Sequence, residues 1–151
     1  MTLPDGRPLA WHHSSLAVSD LGQAIGFFRG AFGFVVDFVE YGMSRRIASI
    51  AGTAGLTCDV AQLRCGASAH VLELIAFHAE PAAPGDERPF RPGSAHVAFV
   101  VADLATALAR AESLGAVPLG RVTEFPESAA VYCRAPGGAF IEIEQLRAPQ
   151  P

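Results

Sequence analysis

The chain has 151 residues, of which half are hydrophobic and 17% are charged, and its formal net charge is −4. This length supports one compact domain with a sizeable core. The acidic balance, without any basic run, excludes an extended nucleic-acid or anionic-membrane surface. No stretch reaches the roughly 18 consecutive apolar residues of a membrane helix, and the first residues lack the pattern of a signal peptide. We therefore expect a cytoplasmic protein without a nucleic-acid or membrane partner.

The chain begins with a strand-like segment that leads into an amphipathic helix. Residues 13–21 read HSSLAVSDL, and apolar residues then recur at helical spacing. Asp20 is a suitable N-cap for this helix, and Gly33 is placed to end it. Strand-like composition follows over residues 34–40, 60–64 and 70–77.

The same order of elements then recurs in the second half of the chain. Residues 96–104 read HVAFVVADL, which repeats the histidine, valine, aspartate and leucine of the first segment in register. Asp103 is the matching N-cap. The second set of predicted strands covers residues 117–119, 130–134 and 139–144. Each half is thus predicted to fold as strand, helix, strand, strand, strand.

These halves predict an α+β fold made of two tandem βαβββ modules, because each four-stranded sheet has a bare face that must be covered. We expect a single domain over residues 10–147, with module 1 at 10–78 and module 2 at 93–147. The proline-rich residues 79–92 are the predicted linker.

Strand periodicity places four polar residues, two in each predicted sheet, on the face opposite the apolar side chains. Apolar neighbours flank Glu73 and Glu142 in their strands, so each carboxylate points away from the apolar face. His13 and His96 lie opposite the apolar residues of their strands in the same way. A lone carboxylate in so apolar a strand would carry a desolvation cost of several kcal/mol, which a bound cation offsets. Each residue taken alone is an ordinary strand residue, but the matched pairs predict a divalent metal site.

Two imidazoles and two carboxylates suit a borderline divalent ion such as Zn, Ni, Co, Mn or Fe. The three cysteines, Cys58, Cys65 and Cys133, have no CxxC spacing, so we expect reduced thiols that pack as small hydrophobes. If the two sheets curl around a shared cavity, further polar residues could border it: His12, His70, His78 and Tyr132.

The connection between residues 41 and 59 is much longer in the first module than its counterpart in the second. A short helix is predicted there, with Ile47, Ile50 and Ala51 on one face. Such long connections are often lids. Arg45 and Arg46 would then meet an anionic substrate group, or they lie on a solvated turn.

The segments 13–21, 96–104 and 131–142 (VYCRAPGGAFIE) resemble the vicinal oxygen chelate superfamily. That superfamily includes glyoxalase I, methylmalonyl-CoA epimerase, extradiol dioxygenases, and fosfomycin and bleomycin resistance proteins. The resemblance runs from about Trp11 to Leu146 and is closest in ligand pattern to glyoxalase I and epimerase-like members. It implies one cupped, eight-stranded barrel-like domain, metal ligands on the first and last strand of each module, and a homodimer. The family's Asp-Pro-Asp-Gly turn is replaced here by residues 135–138, APGG.

The resemblance implies a metal-dependent lyase or isomerase that chelates a small oxygenated substrate and moves a proton through an enediolate-type intermediate. Glu142 is the first choice of base, with Glu73 its counterpart across the metal. One alternative is an Fe(II)-dependent dioxygenase, against which a fourth protein ligand argues. Another is a small-molecule binding or antibiotic-resistance protein of the bleomycin-resistance type, against which the intact ligand set argues. No glutathione-binding or CoA-binding signature is present, so neither substrate follows.

Overall fold

A computed structural model describes residues 10–66, 68–79, 89 and 92–147. The predicted linker, residues 79–92, therefore lies largely outside the described residues. In chain order the elements are β1 (His13–Ala17), α1 (Leu21–Phe32), β2 (Val35–Met43), α2 (Arg45–Ile50), β3 (Thr57–Arg64), β4 (Val71–His78), β5 (His96–Val100), α3 (Leu104–Ser113), β6 (Val117–Pro118), β7 (Thr123–Glu124), β8 (Ser128–Arg134) and β9 (Phe140–Leu146). No helix within the described ranges is long and apolar enough to cross a membrane.

The strands form two sheets with the same internal order. The first sheet is ordered β1-β4-β3-β2, and the second is ordered β5-β9-β8-β6, with β7 also paired to β8. In each sheet the first strand lies parallel to the last strand, and the other pairs are antiparallel. The α+β class and the duplicated βαβββ order are therefore confirmed, as two cupped sheets rather than a closed barrel.

The described residues contain nine strands, whereas eight were expected. The outer strand of the second sheet is divided into the two-residue strands β6 and β7. Pro118 has no N–H to donate to a ladder, and Gly120 disfavours extended backbone. The segment between the two short strands consequently leaves the sheet.

Both long helices begin at the predicted aspartates. The Asp20 carboxylate accepts a 2.7 Å hydrogen bond from the backbone N–H of Gln23, and Asp103 accepts an equal one from Thr106. The backbone and then the side chain of Thr106 lower the pKa of Asp103 by donating to its carboxylate. Gly33 ends α1 with a φ of 70°, which a residue without a side chain adopts without strain.

The apolar faces of both sheets contribute to one hydrophobic core. Its fully buried residues include Phe28 on α1, Leu74 on β4, and Ile141 and Ile143 on β9. Helices α1 and α3 pack against each other in this core, and the Arg110 side chain of α3 donates a 2.7 Å hydrogen bond to the Gly30 carbonyl of α1. The two modules therefore meet through their helix-bearing sides, and the opposite face of each sheet is turned away from the core.

The glycine-rich turn between β8 and β9 also joins the two modules. The Ser19 N–H donates a 3.0 Å hydrogen bond to the Gly137 carbonyl. Gly137 has a φ of 92°, and a Cβ atom there would lie 3.3 Å from the Cβ of Val18. The backbone conformation favours glycine at this position, and a Cβ atom there would also crowd Val18, the residue after β1.

If the two sheets share one core, truncating a buried residue in either sheet should destabilise the same cooperative unit. Leu74→Ala and Ile141→Ala should each lower the free energy of unfolding by about 2–5 kcal/mol, since each leaves a cavity. Urea titration followed by circular dichroism should give a single transition, moved to lower urea in both variants. Ile50→Ala is the matched control because Ile50 is 84% exposed, and it should change stability by less than about 0.5 kcal/mol. Two separate transitions, each sensitive to only one core variant, would contradict the shared core.

Candidate functional site

The first module holds a histidine and a glutamate together on the face turned away from the core. Ser15 on β1 lies opposite Glu73 on β4, and the His13 Nε2 atom is 3.7 Å from the Glu73 Oε2 atom. Ser15 donates a 3.0 Å hydrogen bond to the other carboxylate oxygen, and Gln62 of β3 donates a 3.4 Å bond to Oε2. Glu73 is therefore held in place from both neighbouring strands.

The orientation of His13 is set by the residue before it. The Nδ1 atom of His13 lies 2.7 Å from the Nδ1 atom of His12. This contact leaves the Nε2 atom of His13 on the side of Glu73. A hydrogen bond to one ring nitrogen commonly orients the other nitrogen toward a metal.

The second module repeats the pair at equivalent positions. Ala98 on β5 lies opposite Glu142 on β9, and Tyr132 of β8 lies opposite Glu142 from the other side. The His96 Nε2 atom is 3.2 Å from the Glu142 Oε2 atom. The Tyr132 ring packs on His96 with a centroid distance of 4.8 Å. Ala98 has no donor where Ser15 stands in module 1, so β5 does not restrain Glu142 as β1 restrains Glu73.

The structure brings the four predicted ligands together as two pairs within one chain. Among the described residues, no three or more His, Cys, Asp or Glu side chains are grouped so that they could hold a metal ion. The reason lies in the packing, because both pairs occupy the sheet faces turned away from the shared core. A four-ligand centre remains a prediction. Within one chain its residues form two pairs, which we call half-sites: His13 with Glu73, and His96 with Glu142.

The donor set of these half-sites suits a borderline divalent ion. Imidazole nitrogens and carboxylate oxygens are ordinary ligands of such ions, and each pair is partly exposed and open to an incoming ion. Cys58 is buried near Glu73 but is not a candidate ligand. Burial raises the pKa of its thiol, and the negative charges of Asp59, Glu40 and Glu73 add to that effect, so the thiolate that metals require is disfavoured.

The predicted short helix is present as α2, but only part of its expected face is packed. Ile47 packs against a small cluster of Cys58, Val60 and Ile75. Ile50 is 84% exposed, and Ala51 is exposed at the C-cap, so the expected packed face of Ile47, Ile50 and Ala51 is reduced to Ile47. Ile50 and Ala51 follow on the side of α2 toward its C-terminal end and lie in solvent, so the helix contacts the sheet through Ile47.

Arg45 and Arg46 form the first turn of α2 and are exposed. No described carboxylate forms an ion pair with either guanidinium. Their assignment to a substrate anion stays a prediction.

The second half-site opens into a cavity of about 390 Å³. Its lining includes Glu142 and Tyr132 together with Leu119, Arg121 and Phe125. The last three lie in the irregular segment beside β6 and β7, which has no periodicity that would assign a face. Tyr132 was an expected cavity residue, whereas nothing in the sequence pattern singles out Arg121.

Two cupped sheets, each built from one βαβββ module, have the topology of the vicinal oxygen chelate fold. The chain belongs to the Glyoxalase/Bleomycin resistance protein/Dioxygenase superfamily, whose family model matches residues 10–143. No curated protein matches the chain.

Solved structures extend this likeness across nearly the whole chain. A glyoxalase family protein from Bacillus cereus has a TM-score of 0.83 at 19% identity, covering 97% of this chain and 100% of that chain. A lactoylglutathione lyase from Agrobacterium tumefaciens has a TM-score of 0.58 at 22% identity, covering 91% and 94%. An antibiotic binding protein from a Streptomyces species has a TM-score of 0.62 at 19% identity, covering 93% and 100%. At these identities the likeness concerns the fold.

The environments of the three thiols predict which of them reacts in the folded protein. Cys58 and Cys133 have no exposed surface, and burial, followed by the charge of Glu112, raises the pKa of Cys133 to about 11. Cys65 is only partly buried. A chromogenic disulfide reagent should therefore label one thiol quickly and the other two only after unfolding. Cys65→Ser should abolish the fast phase, and fast labelling of the Cys65→Ser variant would contradict the burial of the other two.

Proposed function

We propose that the chain is a metal-dependent lyase or isomerase of the glyoxalase or epimerase kind, acting on a small oxygenated substrate. The observation that carries the proposal is the duplicated His–Glu pair. The His13–Glu73 and His96–Glu142 contacts, at 3.7 Å and 3.2 Å, occupy equivalent strands of two equivalent sheets. Two such pairs on partly exposed faces are difficult to explain by the needs of folding alone, because charged groups in strands cost free energy when they are desolvated.

His13, Glu73, His96 and Glu142 would together hold one divalent ion such as Zn, Ni, Co, Mn or Fe. When bound, such an ion stabilises the negative charge that develops on neighbouring substrate oxygens. Glu142 would remove a proton from the carbon beside the substrate carbonyl and return it to the adjacent carbon. For inversion at a single carbon, Glu73 across the metal would instead deliver a proton to the opposite face. This exchange passes through an enediolate-type arrangement. Ala98 leaves Glu142 without the strand-to-strand hydrogen bond that Ser15 gives Glu73, which favours Glu142 as the group that moves the proton.

The complete site would form between two copies of the chain. Within one chain the half-sites face away from a common core, so His13 and Glu73 of one copy would meet His96 and Glu142 of another. The first strands, β1 and β5, are edges of their sheets and offer unpaired backbone for such an approach. Large apolar side chains are also exposed on the outward face of the first sheet, namely Phe38 and Phe77. Burial of these side chains would favour a homodimer.

A mixed-variant experiment tests whether the site is shared. One variant carries His13→Ala and Glu73→Gln, and the other carries His96→Ala and Glu142→Gln. Each variant alone should bind no metal, because every site lacks two ligands. Co-expression should restore about half of the wild-type metal content per chain in the mixed dimer, since one of its two sites then has all four ligands. Metal is measured by mass spectrometry after purification through two different affinity tags.

Failure of the mixed dimer to regain metal would contradict a site shared between two chains. If the four residues converge within one chain, every chain in the mixture still lacks two ligands and metal content stays at the single-variant level. A mixture of two copies of the same variant, purified with the same two tags, is the matched control.

The role of Glu142 is tested by changing its basicity while keeping its size. Glu142→Gln should lower proton exchange by about 10²–10⁴-fold, the usual contribution of a general base. Proton exchange is followed by NMR as deuterium uptake from D₂O into an α-hydroxy ketone such as dihydroxyacetone. Metal occupancy is measured on the same samples, because a charged ligand is lost. His96→Ala should lose metal and exchange together, and normal exchange in fully metallated Glu142→Gln would assign the base to Glu73 instead.

A second candidate function is small-molecule binding without turnover. The largely apolar cavity beside Glu142 favours it, and the structural likeness to an antibiotic binding protein supports it. Metal content separates the two functions. A wild-type protein that binds no divalent ion at micromolar concentration would leave binding as the better description.

A further inference from the structure

The cavity beside Glu142 has one cationic side chain in an otherwise mainly apolar lining. Leu119, Phe125 and Tyr132 present exposed apolar surface, with exposed fractions of 36%, 50% and 40%. Arg121 lines the same cavity. At about 390 Å³ the cavity has the size of an ordinary small-molecule site. Its lining suits a ligand with an apolar body and one anionic group.

The backbone around Arg121 is fixed on both sides. The Leu119 N–H donates a 2.9 Å hydrogen bond to the Tyr132 carbonyl. Thr123 pairs with Ala130, and its hydroxyl donates a 3.0 Å bond to the Arg121 carbonyl. The backbone of Arg121 is thus fixed by its neighbours, and only its side chain has to become ordered when a ligand binds.

Arg121 is the cationic residue in the lining of this cavity. Within the described ranges, no carboxylate forms an ion pair with its guanidinium, although Glu142 lines the same cavity. The chain as a whole is acidic, with a net charge of −4. An anion in this cavity would be repelled by Glu142 and attracted by Arg121, so its charge should pair with Arg121 rather than lie against Glu142.

We propose that Arg121 and the apolar wall of Leu119, Phe125 and Tyr132 form a subsite for a substrate that carries an aromatic or branched apolar body and a remote carboxylate. The assignment rests on the proposed function in one respect, namely that the reacting oxygens lie at the Glu142 and His96 end. A guanidinium binds a carboxylate through two parallel hydrogen bonds. The substrate class is therefore an apolar α-hydroxy or α-keto compound with a carboxylate away from the reacting carbons.

The subsite is tested with probes that differ only in charge. On the full chain as purified, 3-phenylpropionate should bind about tenfold more tightly than its neutral amide, 3-phenylpropionamide, in isothermal calorimetry. The preference should shrink as salt is raised, because an exposed charge pair is screened. Arg121→Gln should remove the preference while keeping the amide affinity. Arg29→Gln, which changes an exposed arginine in the last turn of α1, should keep it.

A second probe pair separates this subsite from the metal chemistry. Benzohydroxamate chelates divalent ions through neighbouring oxygens, whereas benzamide does not, so their difference on metal-loaded protein reports the proposed metal site. 4-Carboxybenzohydroxamate adds a remote carboxylate, whose extra affinity should vanish in Arg121→Gln.

If the proposed function is wrong but the subsite is right, hydroxamates gain nothing from metal while the acid-over-amide preference remains. If only the subsite is wrong, benzohydroxamate binds through metal but acid and amide bind equally to the wild type. Equal affinity for acid and amide, no binding of either, or a preference that survives in Arg121→Gln each overturns the assignment of Arg121.

Discussion

The packing of the two modules through their helix-bearing faces is the constraint on which the rest of the structure depends. Leu74 and Ile141 have no exposed surface and belong to one core. The alternation of a strand then fixes where their neighbours point, because successive side chains project to opposite faces. Glu73 and Glu142 must therefore lie on the outer faces. The same strands thus stabilise the fold through their core-facing side chains and carry the candidate ligands on their outer faces.

The two half-sites are alike in position but differ in support. Ser15 and Gln62 both donate hydrogen bonds to Glu73, which fix the orientation of its carboxylate. At the corresponding registers of module 2 stand Ala98 and Tyr132, and the aromatic ring of Tyr132 contacts His96 instead. The two modules are therefore equivalent scaffolds. The residues beside the carboxylates differ, so that Glu73 has more hydrogen-bond support from its neighbouring strands than Glu142.

The sequence was sufficient for what local patterns determine. The Asp20 and Asp103 caps, the outward direction of Glu73 and Glu142, and the βαβββ order all follow from propensities and periodicity within short segments. The packing of the two modules against each other could not be predicted from such local patterns. It depends on how α1 docks against α3, and that contact joins residues far apart in the chain. For this reason the four candidate ligands could be named, while their separation into two pairs within one chain could not be predicted.

Irregular backbone limited the prediction of the cavity as well. Pro118 and Gly120 interrupt the outer strand, so no period assigned Arg121 to a face. The helix α2 was expected from its apolar spacing, but only Ile47 of the expected face packs, and Ile50 stays in solvent. The conformation of such turn and loop segments depends on their tertiary contacts with the sheet, which local sequence patterns do not encode.

The parallel pairing of β1 with β4 has a consequence for the order of folding. The Ser15–Glu73 hydrogen bond joins residues 58 positions apart, and contacts of such long sequence separation form slowly because a large loop must close first. The antiparallel β3–β4 hairpin can form early from nearby residues. We therefore expect strand β1, which carries His13, to dock after the hairpin has formed. In that order the first half-site would be completed only when β1 docks, so a partly folded chain would have β4 and Glu73 in place before it could offer a pair of ligands to an ion.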